Sequence, residues 1–172
     1  MKTAKEIAFI GMYTALLIGA QFVLSFVSGI EIVTVLFSAF CYKYGVKKGL
    51  ILAISFSLIR CFIYGFILDV VILYLVYYPI LCLTFAYLGK LFKSNFTVIK
   101  LIIIILTAVV MTALFTLISD IITPLLYCYT FNAWKAYFVA SLPVMATQCV
   151  VVPITFVLLF VPIQKLLNIS KI

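Results

Sequence analysis

Residues 101–126 read LIIIILTAVVMTALFTLISDIITPLL, with Asp120 as the one charged side chain. A helix needs about 20 largely apolar residues to cross roughly 30 Å of hydrocarbon. This stretch therefore predicts a membrane-spanning helix over Leu101–Leu126. Working outward, charged and polar breaks mark five more candidate spans: Ile7–Val27, Ile30–Tyr42, Gly49–Leu68, Val70–Gly89 and Tyr137–Val161. The second is short and the fifth long, which a bilayer accommodates by thinning or by helix tilt. The expectation is an all-α integral membrane protein, one domain over residues 1–172, with six transmembrane helices in a single bundle.

Composition agrees. Hydrophobic residues make up 68% of the 172, and charged residues 9%. A soluble domain averages about 45–50% apolar and roughly 25% charged. So few charges do not cover a water-facing surface, and there is no room for a soluble catalytic domain. Met1–Val27, with Lys2 and Lys5 at its start, looks superficially like a signal peptide. Its apolar run exceeds the usual h-region of about 7–15 residues, and no A-x-A site follows. It reads as the first membrane helix.

The charges orient the bundle. Twelve Lys and Arg stand against four Asp and Glu, a net charge of +8. On an up-and-down path of six helices, Lys2, Lys5, Lys43, Lys47, Lys48, Lys90, Lys93, Lys100, Lys165 and Lys171 all fall on one face. The positive-inside rule makes that face cytoplasmic, and with it both termini. Glu31, Asp69 and Asp120 fall toward the opposite end. A path of five or seven helices scatters the lysines over both faces. The excess positive charge is thus explained by membrane orientation, and no nucleic-acid partner is expected.

Absent motifs exclude several chemistries. The chain has no histidine, and its five cysteines form no C-x-x-C pair. Metal, haem and disulfide scaffolds are not expected, nor is any cofactor. There is no phosphate loop, no G-x-S-x-G and no H-E-x-x-H, so the chain is not expected to be an enzyme. The two halves show no convincing inverted repeat.

Against the apolar background, polar residues mark candidate sites. Arg60 lies about 18 Å into its span at about 1.5 Å per residue. Such a charge anchors an anionic group of a ligand, or forms an ion pair with Asp69, Asp120 or Glu31. Tyr74, Tyr77 and Tyr78 share a helical face just before Pro79. They read as an aromatic wall for a flat ligand, or as packing. Thr112, Thr116, Ser119, Asp120 and Thr123 form a polar stripe in the outer half of the fifth span. Tyr137, Ser141 and Gln148 share a face of the sixth, which Pro143 and Pro153 interrupt. The loop Tyr127–Lys135, with Trp134, reads as a lid or an interface anchor. Gln21, Glu31 and Arg60 add to the same level. The expectation is one pocket open to the outside, because independent packing stripes need not coincide in depth. In the first span Ala4 and Ala8, then Gly11, Ala15 and Gly19, repeat at four-residue steps. Such a face docks a partner helix or packs within the chain.

Together these features resemble the substrate-binding S component of energy-coupling factor transporters. The resemblance spans nearly the whole chain. It rests on the six spans, on the small-residue face of the first (similar to the family's A-x-x-x-A motif), and on the run GVKKGLILAISFSLIRCFIYGF followed by VVILYLVYYPILCLTFAYLGKLFK. It implies a plasma-membrane subunit that captures a small water-soluble vitamin or related micronutrient from outside. Its partners would be a membrane T component, met by the first helices, and two ATPase subunits. The expected ligand is flat and anionic, stacked on Tyr74, Tyr77 and Trp134, paired with Arg60 or Lys135, with Asp120 or Glu31 for an amine. The alternatives are a stand-alone carrier with Asp120 or Asp69 as a proton-linked carboxylate, and a non-catalytic membrane scaffold subunit.

Overall fold

The computed structural model describes residues 4–24, 32–92 and 97–169. Nearly all of them are helical, in five helices: α1 (Ala4–Leu24), α2 (Ile32–Tyr64), α3 (Leu68–Phe92), α4 (Val98–Leu126) and α5 (Phe131–Ile169). Four of these, α1, α3, α4 and α5, are long and apolar enough to cross a membrane. Their outward faces carry exposed Met12, Leu83, Val98, Phe131 and Val150. A continuous apolar surface of that kind is matched by lipid and not by water. The helix is also the one local structure that satisfies every backbone N–H and C=O of such a segment without a neighbour. This is the makeup of a multi-pass membrane protein.

The largest departure from the sequence reading lies in α2. Two spans, Ile30–Tyr42 and Gly49–Leu68, were expected with a lysine-bearing break between them. The structure instead keeps helical geometry through Lys43, Lys47 and Lys48 and breaks at Gly45 alone, with φ 76° and ψ −173°. Only glycine occupies that backbone region without strain. The contacts to α1 show that the chain reverses there. Before Gly45 the path descends α1: Tyr13 donates to the Leu36 carbonyl at 2.7 Å, and Tyr44 meets Phe9 with ring centroids 5.4 Å apart. At the turn Lys48 pairs with Glu6 at 3.0 Å. After it the path climbs again, and Tyr64 reaches Phe22 at 6.5 Å. Limbs 32–44 and 46–64 thus run antiparallel, side by side.

Other boundaries shift for physical reasons. The third expected span ends at Tyr64 rather than Leu68, because Gly65 at φ 96° terminates the helix. The last helix is much longer than Tyr137–Val161. It starts at Phe131 and takes Trp134 and Lys135 out of the expected loop and into its first turns. Pro143, Pro153 and Pro162 lie inside it without ending it. At 39 residues it is about 58 Å long at 1.5 Å per residue, well beyond the hydrocarbon thickness.

Helix α2 is the hub, packing against α1, α3 and α5, while α4 bridges α3 and α5. Close approach between α2 and α3 depends on small residues. A Cβ on Gly89 would lie 2.0 Å from the Tyr42 carbonyl oxygen, and one on Gly49 would lie 2.4 Å from Cys82 Sγ. Fully buried Phe37, Phe40, Phe56, Phe85, Phe156 and Phe160 fill the interior. At the lysine-rich end, Lys43 bonds Asn168, and buried Gln164 donates to the Ala39 carbonyl at 2.7 Å, tying α5 to the first limb of α2. Asp69, Thr123 and Tyr127 gather at the other end.

Candidate ligand-binding pocket

The polar stripe of α4 folds as its spacing predicts. Thr112, Thr116, Asp120 and Thr123 are all buried. Residues four apart stack on one helical face, and in α4 that face turns toward α5. From the other side α5 presents Tyr137, Ser141, Val144 and Gln148. Between them lies a pocket of about 310 Å³, lined by these residues with Phe115, Thr116, Ser119, Asp120 and Ala140.

Asp120 organises this pocket. It is 3% exposed, and its Oδ2 accepts a hydrogen bond from Ser141 Oγ at 2.6 Å. A carboxylate so buried needs charge-assisted hydrogen bonds to offset its lost hydration. Trp134 Nε1 donates to the Asp120 main-chain carbonyl at 2.9 Å. The indole therefore fixes the first turns of α5 against α4 at the pocket's end. One turn deeper, Thr116 Oγ1 bonds Gln148 Oε1 at 3.4 Å, and the Thr112 hydroxyl below is buried without a partner. Lining side chains thus comprise one carboxylate, several hydroxyls and an amide, with no Lys or Arg among them. Such a wall accepts hydrogen bonds and suits ligand N–H, O–H or ammonium groups.

Near the Asp120 end of the pocket, Asp69 accepts from Thr123 Oγ1 at 3.1 Å and from the Tyr127 hydroxyl at 3.5 Å. Tyr127 lies outside the helices. Its phenol is pushed up from its ordinary value, first by the negative charge of Asp69.

The other predicted residues lie elsewhere. Tyr74, Tyr77 and Tyr78 are buried in an aromatic cluster, with Tyr78 edge-on to Phe37 and Phe56 at 4.9 Å from each. Phe115, which lines the pocket, meets Tyr77 at 4.8 Å and Tyr74 at 6.0 Å. Arg60 sits beyond that cluster, its guanidinium 4.1 Å from the Tyr74 ring centroid. The pocket and the arginine are therefore linked through Tyr74 and Phe115 and do not share one cavity. Arg60 forms no ion pair with Asp69 or Asp120 among the described residues. Lys135 lies over the Phe131 ring at 5.7 Å, and Glu31 lies outside the described residues.

On α1, Ala4, Ala8, Gly11, Ala15 and Gly19 are all exposed. A Cβ on Gly11 or Gly19 would meet nothing within 4 Å. Gly11, Ala15 and Gly19 instead line a groove of about 430 Å³ with Ile18, Phe22, Ile59 and Ile63. Sequence reasoning missed Phe115, Ala140 and Val144, which carry no signal among so many apolar neighbours. It also missed Tyr64, whose spacing of four from Arg60 was a usable signal. No protein-family model, curated protein or solved structure matches the chain.

Proposed function

We propose that the chain is the substrate-binding membrane subunit of an energy-coupling factor importer. It captures a small water-soluble vitamin or related micronutrient from outside and passes it inward. One observation carries this reading: the division of the molecule into a polar pocket between α4 and α5 and an uncovered small-residue face on α1. A pocket with a few placed polar groups suits a small ligand. An exposed run of Gly and Ala on a membrane helix suits close approach by another helix. In this reading the two limbs of α2 are separate crossings, so the bundle has six, and the lysine-rich end and both termini are cytoplasmic. A T component docks on the α1 face. Two ATPase subunits hydrolyse the ATP, and this chain performs no catalysis.

The test is recovery of partners. Tagged chain purified from its native host in mild detergent should bring down a membrane subunit and two ATPases. Substituting Ala15→Leu and Gly19→Leu should abolish that recovery while leaving the thermal midpoint of the isolated chain unchanged. Recovery of the chain alone, where an established S component keeps its partners, would sink the proposal.

Asp120 favours a second reading. A nearly inaccessible carboxylate inside a membrane bundle is the kind of group that carries protons in secondary transporters. In that case the chain alone in proteoliposomes would take up substrate under a pH gradient, and Asp120→Asn would abolish uptake.

A further inference from the structure

We propose a second binding site at Arg60, for a small oxyanion that also donates a hydrogen bond, between α1, α2 and α3 at the end of the bundle that holds Asp69. It does not depend on the transporter reading. The Arg60 guanidinium is flanked by two aromatic faces, 4.1 Å from the Tyr74 ring centroid and 4.9 Å from that of Tyr64. Ring faces hold a cation in place but supply no counter-charge. A guanidinium within an apolar bundle needs one. Among the described residues Arg60 has no ion pair, and its Nε is buried without an acceptor.

Two further unpartnered atoms belong to the same cluster. The Tyr64 hydroxyl is buried with no hydrogen bond. Gln21 uses Nε2 to donate to the Tyr74 hydroxyl at 3.0 Å, which leaves its Oε1 buried and unbonded. Buried polar atoms are nearly always satisfied, so three around Tyr74 together carry a chemical signature. Arg60 N–H and Tyr64 O–H donate, and Gln21 Oε1 accepts. A hydrogen phosphate or a 2-hydroxycarboxylate meets all three requirements. So does a phospholipid whose phosphate carries a hydroxylated headgroup. Arg60 itself is only partly buried, so the site is reachable.

The experiment separates these sources with purified full-length chain in neutral detergent. In the soluble arm, inorganic phosphate and lactate are titrated by calorimetry and thermal shift. In the lipid arm, native mass spectrometry compares retention of phosphatidylglycerol and phosphatidylcholine. Binding in either arm should weaken about tenfold or more in Arg60→Gln, the loss of one charged hydrogen bond. Tyr64→Phe, which removes a single hydroxyl, should weaken it severalfold and serves if Arg60→Gln fails to fold. Phosphate or lactate binding identifies a soluble ligand, and selective phosphatidylglycerol retention identifies a lipid. If none of these binds the wild type, or if both variants bind like it, the site does not exist.

Discussion

At the scale of single residues, two carboxylates at one end of the bundle show how environment assigns roles. Asp120 is sealed between α4 and α5 and held by Ser141. Removing that hydroxyl leaves a buried acceptor short of a donor. Hydrogen bonds between membrane helices average about 0.6 kcal/mol, and those to charged groups are stronger. Ser141→Ala should therefore lower stability by about 1 kcal/mol, read from thermal unfolding in detergent. Asp69 lies at the helix edge, where it bonds the exposed Tyr127. Its charge raises the Tyr127 phenol above its ordinary value. A group whose pKa is raised on folding stabilises the fold below its unfolded value and loses that contribution as pH climbs through the folded one. The expected outcome is a tyrosinate that forms at higher pH in the folded chain, seen as the ultraviolet titration difference between wild type and Tyr127→Phe. Asp69→Asn should bring that ionisation back down.

At the scale of elements, glycine positions separate structural from docking roles. Gly45 alone lets α2 turn back on itself, in a backbone region open to glycine only. Gly45→Ala should cost about 1–3 kcal/mol of strain. Gly89→Ala should be worse, about 3 kcal/mol or more, since the added methyl meets a backbone carbonyl that has nowhere to go. Gly11→Ala meets open space and should stay within about 0.5 kcal/mol of wild type. Urea or thermal unfolding of the three variants ranks them directly. If Gly11→Ala destabilised the isolated chain as much as Gly89→Ala, the α1 face would be part of this chain's own packing.

At the scale of the whole molecule, the reversal at Gly45 decides the topology. The proposed function takes both limbs of α2 as crossings, which would turn Asp69, Tyr127 and the turn after α4 outward and the lysine-rich end toward the cytoplasm. Native cysteines offer a direct test. Cys128 is exposed in that turn, whereas Cys41, Cys61 and Cys82 are buried and Cys149 is half-buried within α5. A membrane-impermeant maleimide added to intact cells should label the wild type and not Cys128→Ser. A cysteine introduced at Lys90 should react only after the membrane is opened. The reverse pattern would invert the molecule and place the pocket's outer end inside.

The helical class, the four long apolar helices and the clustering of lysines at one end were legible in the sequence, because hydropathy and charge act along the chain and require no knowledge of neighbours. The same holds for the α4 stripe, where four-residue spacing alone puts Thr112, Thr116 and Asp120 on one face. Which faces meet was not legible, because apolar surfaces in lipid are interchangeable until shape selects among them. Tertiary structure alone decided that Thr116, Asp120 and Gln148 share a pocket while Arg60 stands apart from it behind Tyr74 and Phe115. It decided that Tyr77 and Tyr78 pack in the core, and that the Gly and Ala face of α1 is left uncovered. The turn at Gly45 belongs to the same category: one residue among helix-forming neighbours reverses the chain because α1 and α3 offer surfaces to both limbs.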